Sequence, residues 1–342
     1  RSVQTRNKPV ASKYVALLAQ LPEQVSPAQL IEQLRRACDP SLLRLGYEYL
    51  PVTFGRRHGD PSRPWNSFNI QLRDENGSQV IAYQGNWRDI FQNWEALCTS
   101  FPEYITSIIA KFVSASTADG FNPYRVTHEG IDWEVPEPNH PWSNIGYWGD
   151  HQIVYLTRLL ELSERFQPGT LAELLASPNF SYASVPYRIK PFANTVNDCR
   201  NTIEFEAGLH RRIEAESKEM GTDAKLLRGV DGAVLHVSLM EKLLVPVLAK
   251  MGSFVIGGGI WMHTQRPEWN DANNALAGYG LSVVTLCYMQ RHVQLIRRVL
   301  ESTSLPTHAI SCEVANWLRS TLGVLQRNLG LTNTDSVDPA AR

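Results

Sequence analysis

What narrows the fold most is a spacing of three and four between apolar residues, broken by long stretches with no period. Ile153, Leu156, Leu159, Leu160 and Leu162 form the cleanest apolar face, and predict a helix over Asp150 to Phe166. The same spacing predicts helices over Tyr14 to Leu21, Ser26 to Leu45, Trp87 to Leu97 and Glu103 to Ser114. Further on it predicts Thr170 to Ala176, Asn201 to Met220, Val234 to Met251 with a kink at Pro246, Leu281 to Leu300 and His308 to Leu329. Ser26-Pro27 is a hydroxyl N-cap followed by proline at the first helical position. Strands do not alternate with helices, which argues against a dinucleotide-binding sheet. The only strand signal is early. Ser67 to Leu72 and Gln79 to Tyr83 flank Asp74-Glu75-Asn76-Gly77, a hairpin pattern. Residues 1–12 are polar and expected to fray, and 116–148 and 178–200 read as irregular. The expectation is a mainly α chain of helical hairpins with long loops gathered at one end.

Composition removes whole classes of function. The 342 residues carry 33 Lys+Arg against 34 Asp+Glu, a net charge of -1, so no global field draws the chain to nucleic acid or anionic lipid. No run approaches the roughly 18 apolar residues of a membrane span, so no membrane partner is expected. Cys38, Cys98, Cys199, Cys287 and Cys312 are widely spaced and odd in number, which fits buried thiols in a reducing compartment and a cytoplasmic location. Gly257-Gly258-Gly259 is not a GxGxxG fingerprint, and no phosphate-binding P-loop motif occurs. His151 lacks a second histidine at metal-ligand spacing, so no metal is expected.

Three segments concentrate aromatic, acidic and glycine residues. The first runs Tyr83-Gln84-Gly85-Asn86-Trp87-Arg88-Asp89-Ile90-Phe91-Gln92-Asn93. Its Arg88–Asp89 pair can hold a polyol by paired hydrogen bonds, or simply complement a helix dipole. The second is Trp148-Gly149-Asp150-His151-Gln152, where Asp150 is either a ligand-binding acid or a plain helix cap. The third runs from Gly257 through Trp261 to Glu268-Trp269-Asn270-Asp271-Ala272-Asn273-Asn274 and Gly278. Tryptophan faces stack on sugar C–H faces, and carboxylates do acid–base work on acetals.

On these segments the chain resembles the glycoside phosphorylases of the cellobiose and chitobiose phosphorylase family, glycoside hydrolase family 94. That family's D-W-N-D-G-M-N signature is similar to Glu268 to Asn274. Its F-R-D-Q-L-Q-D is similar to Trp87 to Asn93, and its D-D-H-L-W-L to Gly149 to Val154. The order is the same, and the resemblance spans roughly residues 80–300. It implies an (α/α)6 toroid with the active site in loops at one end. It implies Asp271 as general acid, Trp269 beside the sugar, and Arg88 with Asp89 on the hydroxyls of the non-reducing-end sugar. Glu268 stands where the family has Asp, Ala272 where it has Gly, and Gly149 where it has an acid. The family's phosphate-binding His and Ser/Thr-Gly loop has no clear counterpart after Asp271, where His292 and His308 are the histidines present.

The resulting expectation has three parts: 1–83 as helices and a β-hairpin packed on the toroid, 84–330 as an (α/α)6-like catalytic domain, and 331–342 as a flexible tail. Function is expected to be inverting cleavage or transfer on β-linked gluco-oligosaccharides. Asp271 is the acid, and Glu268, Asp150, Glu204 and Glu206 are candidates for a base. Trp87, Arg88, Asp89, Asp150, His151, Trp261, Trp269 and Asn270 are expected to line the substrate site. No cofactor is expected beyond inorganic phosphate as a co-substrate of phosphorolysis. The partner is an oligosaccharide, within an oligomer or a larger parent chain. Two other readings stand beside it: a carbohydrate-binding scaffold that has lost its nucleophile site, and a helical interaction protein with a chance motif match.

Overall fold

A computed structural model describes residues 2–52, 73–123, 125–139, 147–148, 152–199, 201–263, 278–305, 307–333 and 337–338. For 86–89, 123 and 147–148 only the backbone path is described. The chain is mainly helical with a few short antiparallel strand pairs, as the apolar spacing predicts. Among the described residues no helix is long and apolar enough to cross a membrane.

The first unit is five short helices: α1 (Ser2–Arg6), α2 (Lys8–Lys13), α3 (Val15–Ala19), α4 (Pro27–Arg35) and α5 (Pro40–Tyr47). Ser26 and Gln29 form a reciprocal capping box at the start of α4. The single helix expected over 26–45 is divided at Cys38-Asp39. Pro40 disfavours a helical residue before it, and the Asp39 carboxylate caps α5 by accepting from the amides of Ser41 (2.9 Å) and Leu42 (3.2 Å). Val10, Leu34, Leu42 and Leu45 make a small apolar core of their own.

The start of the chain is anchored rather than frayed. Arg6 is buried and reaches Glu48 at 2.5 Å and Asp223 at 3.4 Å, while Asn7 donates to Asp223 at 3.0 Å. Arg44 bonds Glu48 at 3.1 Å and also pairs with Asp223. Asp223 sits in a tight helical turn, Thr222–Lys225, far along the chain, so this seam bolts the first unit to the body.

The body begins with a turn over 74–77, where the Asp74 side chain accepts from the amides of Asn76 and Ser78. Arg73 bridges Gln79 across it, so the expected hairpin has its turn, while its first arm, 67–72, lies outside the described residues. β1 (Gln84–Asn86) leads directly into α6 (Trp87–Ser100), and α7 (Ile105–Ser114) folds back on it. The rings of Phe91 and Phe112 lie 4.3 Å apart, early in one helix and late in the other, which makes the pair antiparallel. The stretch 116–148, expected to be irregular, contains β2 (Asn122–Pro123), β3 (Arg125–Thr127), β4 (Gly130–Asp132) and β5 (Tyr147–Trp148).

After it come α8 (Gln152–Phe166), α9 (Thr170–Leu174), β6 (Tyr187–Ile189), α10 (Phe192–Asn197), β7 (Ile203–Phe205) and α11 (Ala207–Met220). The helix expected from Asn201 therefore starts at Ala207. Residues 203–205 pair with β6, because Ile203 and Phe205 alternate with Glu204 at a period of two. α12 (Leu239–Met251) runs through Pro246, and starts at the Ser238 cap rather than at Val234, which is bridged to Arg228. β8 (Phe254–Val255), β9 (Gly259–Trp261), β10 (Leu281–Ser282), α13 (Val283–Ser302) and α14 (Cys312–Arg327) complete the order.

Side-chain pairs fix the helix directions. Gln92 donates to Tyr155 at 3.3 Å, and Glu95 accepts from Arg158 Nε at 2.7 Å. Arg158 also bonds Tyr288, and Arg291 donates to Glu161 at 2.6 Å. Each partner advances by three residues on both helices, so α6, α8 and α13 run parallel, side by side. α12 packs against α13, where Leu243 O faces His292 at 3.3 Å. The main core fills this row, with Trp94, Phe91, Phe112 and Leu156 almost fully buried.

The thiols correct one expectation. All five are free, but Cys98 alone is buried, while Cys38, Cys287 and Cys312 are exposed.

Candidate functional site

Because α6, α8 and α13 are parallel, their N-termini lie at one end of the row. Each of the three motif segments leads into one of these helices. β1 carries the first segment into α6, the second immediately precedes α8, and the third precedes β10 and α13.

One short stretch, residues 121–127, ties the three together. Asn86 of β1 pairs with Arg125. Trp148 of β5 pairs with Asn122. The Phe121 ring stands 6.4 Å from His263, at the foot of the third segment.

The foot of that third segment is well defined. β9 is flanked by β8 and β10. Met262 N donates to Gly280 O at 3.0 Å, and Gly278 N to Met262 O at 2.5 Å. Gly278 has φ of +81° and lies so close to Cys199 that a side chain at 278 would collide with it. These bonds hold Met262 and Gly278 side by side.

Trp261 donates Nε1–H to Gly278 O at 3.1 Å, and its ring lies 5.3 Å from His263 and 6.2 Å from Phe192. His263 Nδ1 meets Ser253 Oγ at 3.1 Å. Burial, then the nearby Lys250 cation, push the His263 pKa down to about 4, so the ring is neutral at pH 7. The Lys250 ammonium lies 5.2 Å from the Phe121 ring centroid. The base of the site is thus aromatic and mostly neutral, which suits the C–H face of a sugar. The helix N-termini above it supply partial positive charge, which suits hydroxyl, carboxylate or phosphate oxygens.

Of the residues expected to carry chemistry, Trp261 is described with its side chain. Trp87, Arg88 and Asp89 form the first turn of α6, described as backbone. Asp150, His151, Glu268, Trp269, Asn270 and Asp271 lie outside the described residues. Glu204 and Glu206 were expected on a helix. They instead flank the strand residue Phe205, Glu204 is exposed, and Glu206 pairs with Arg188 at 3.4 Å. His292 is a satisfied core histidine between Thr157 Oγ1 (3.0 Å) and Leu243 O, with its pKa pushed down to about 4 by burial.

Two residues at this end escaped the sequence reading. Asn122 and Gln152 are each 1% exposed. Among the described residues, both amide atoms of Asn122 and the carbonyl of Gln152 have no hydrogen-bond partner. Leaving such atoms unpaired costs about 1–3 kcal/mol each, which any partner would relieve. Gln152 was within reach of sequence reasoning, since it closes the second segment. Asn122 carried no signal beyond being polar in an irregular stretch. Among the described residues no group of three or more His, Cys, Asp or Glu is placed to hold a metal ion.

Comparison with known proteins adds one finding. Residues 1–51 match the model of glycoside hydrolase family 149 insertion domain 1. The match coincides with the five-helix unit and its separate core. No curated protein matches the chain.

Proposed function

We propose that the chain is an inverting carbohydrate-active enzyme that cleaves or transfers β-linked gluco-oligosaccharides, with Asp271 as general acid. The observation behind this reading is the position of the three helices that the motif-bearing segments lead into. The segments occur in the family order and lead into three parallel neighbouring helices joined through residues 121–127. The insertion-domain match at 1–51 falls outside all three motifs and is in keeping with a carbohydrate setting, though it concerns a different glycoside hydrolase family. In this reading 84–330 is the catalytic domain, and α6, α8 and α13 are neighbouring helices of an (α/α)6 toroid. Three exposed free thiols are in keeping with a reducing, cytoplasmic setting.

The proposed chemistry follows from the residue types. Asp271 protonates the bridging oxygen as the glycosidic bond breaks, a role that requires a carboxyl pKa raised above its ordinary value. Arg88 and Asp89 fix the non-reducing-end sugar, with Trp87, Asn270, His151, Asn122 and Gln152 supplying further contacts. Inversion then needs a nucleophile on the opposite face. In hydrolysis that is a water held by Glu268 or Asp150, with roughly 6.5–9.5 Å between the two carboxyl groups. In phosphorolysis it is inorganic phosphate, drawn by the gathered helix N-termini.

The test is incubation with a panel of β-linked glucose disaccharides and oligomers, with and without phosphate. Sugar 1-phosphate formed only with phosphate marks phosphorolysis, and free sugar without it marks hydrolysis. Saturable binding without turnover of any panel member would overturn the catalytic reading in favour of a binding scaffold.

A further inference from the structure

We infer that the seam between the five-helix unit and the β1–β3–β4 sheet is a second, separate binding site for a neutral oligosaccharide. A cavity of about 740 Å³ lies there, within the range of about 300–1,000 Å³ typical of small-ligand pockets. Arg6 and Tyr49 come from the first unit, Gln79 from the turn segment, and Thr127, Asp132 and Lys225 from the body.

The chemistry of the walls selects the ligand. Their charges are already matched within the protein. Lys225 holds Asp132 at 2.9 Å and lies 5.0 Å from the Trp133 ring centroid. Arg6 holds Glu48 and Asp223, and Glu129 faces His128 at 3.5 Å. An anion would have to compete with these carboxylates, so phosphate and sulfate are disfavoured.

What remains is a dense set of hydroxyl, amide and carboxylate groups, the complement of a polyol. One feature at the rim points to an occupant. Tyr49 is 37% exposed at the rim, offering an aromatic face for sugar C–H groups.

The site is distinct from the motif end. β1 runs between the two, with Gln84 at the cavity and Asn86 at the start of α6. The inference does not rest on the catalytic reading, because binding here requires no turnover.

The experiment is hydrogen exchange of the full chain with cellotetraose, laminaritetraose or maltotetraose, and separately with inorganic phosphate. At least one oligosaccharide is expected to slow exchange several-fold over residues 79–84 and 127–132. Tyr49→Ala and Gln79→Ala are expected to weaken that protection about tenfold in ligand concentration while leaving the melting temperature unchanged. Asp271→Asn is expected to retain it, which separates this site from the motif end. Protection by none of the three sugars, protection untouched by either substitution, or protection by phosphate instead would overturn the proposal.

Discussion

The interior of the helical body and its seam with the five-helix unit are held by different kinds of interaction. Inside the body, α6, α7, α8, α12 and α13 share one large apolar core around Trp94, Phe91, Phe112 and Leu156. The five-helix unit has its own apolar core, adds Tyr47 and Leu50 to the main one, and also meets the body through buried charge: Arg6, Arg44, Glu48 and Asp223. Apolar packing is tolerant of direction, whereas a fully buried ion network fixes one orientation and fails sharply when a member is lost. The apolar residues that the first unit adds to the main core hold it against the body, and the ion network fixes how it sits there.

The largest effect that tests this contrast is Asp223→Ala. It leaves Arg6 and Arg44 with Glu48 as their one remaining carboxylate partner and should cost about 3–5 kcal/mol in denaturant unfolding. Leu156→Ala in the body should cost about 2–5 kcal/mol, the range for a buried leucine. The two differ in rescue. Adding Arg6→Met, Arg44→Met and Glu48→Leu to Asp223→Leu should recover most of the loss, because a buried ion set is replaceable as a whole by apolar residues of similar volume. No second substitution is expected to recover Leu156→Ala so fully.

Lys111 gives a subtler test. It is buried beside the seam, and desolvation, reinforced by Arg6 and Arg44, pushes its pKa down to about 7. Folding therefore penalises the protonated amine. The penalty is complete below about pH 7 and is relieved as pH rises from there towards the ordinary lysine value of 10.5, because over that window the unfolded chain binds the extra proton. Lys111→Met should raise stability most at pH 6 and progressively less by pH 10, read from melts across pH. Glu48 behaves oppositely. Burial alone would raise its pKa, but Arg6, Arg44 and Lys111 outweigh it and hold it at about 2. Its contribution is present above about 4.5 and is lost as pH falls towards 2, so acid should loosen the seam before it dissolves the apolar core.

The smallest effect belongs to the surface of the body. Arg158→Ala removes the exposed pair with Glu95, and should change stability by about 0.2–1 kcal/mol.

This same contrast explains what the sequence made legible. The body helices are written in apolar spacing, and Ile153, Leu156, Leu159 and Leu160 are all buried as that spacing requires. The seam is written in charged residues up to 217 positions apart, each of which reads alone as a solvated surface residue. Arg6 and Asn7 thus passed for a frayed start. Two local errors were avoidable. Asp39-Pro40 is a cap-and-proline pair inside the expected helix, and Ile203-Glu204-Phe205 alternates at the strand period. The motif segments were identifiable through their composition. Asn122 was not, since its meaning comes from strand pairing with Trp148, a tertiary fact.

The proposed catalysis rests most heavily on Asp271, and its most direct test is turnover by Asp271→Asn on a substrate drawn from the disaccharide and oligomer panel. The account predicts a fall of at least about 10²-fold, the lower end for losing a general acid, with an unchanged melting temperature. Near-normal turnover by a folded Asp271→Asn protein would contradict it.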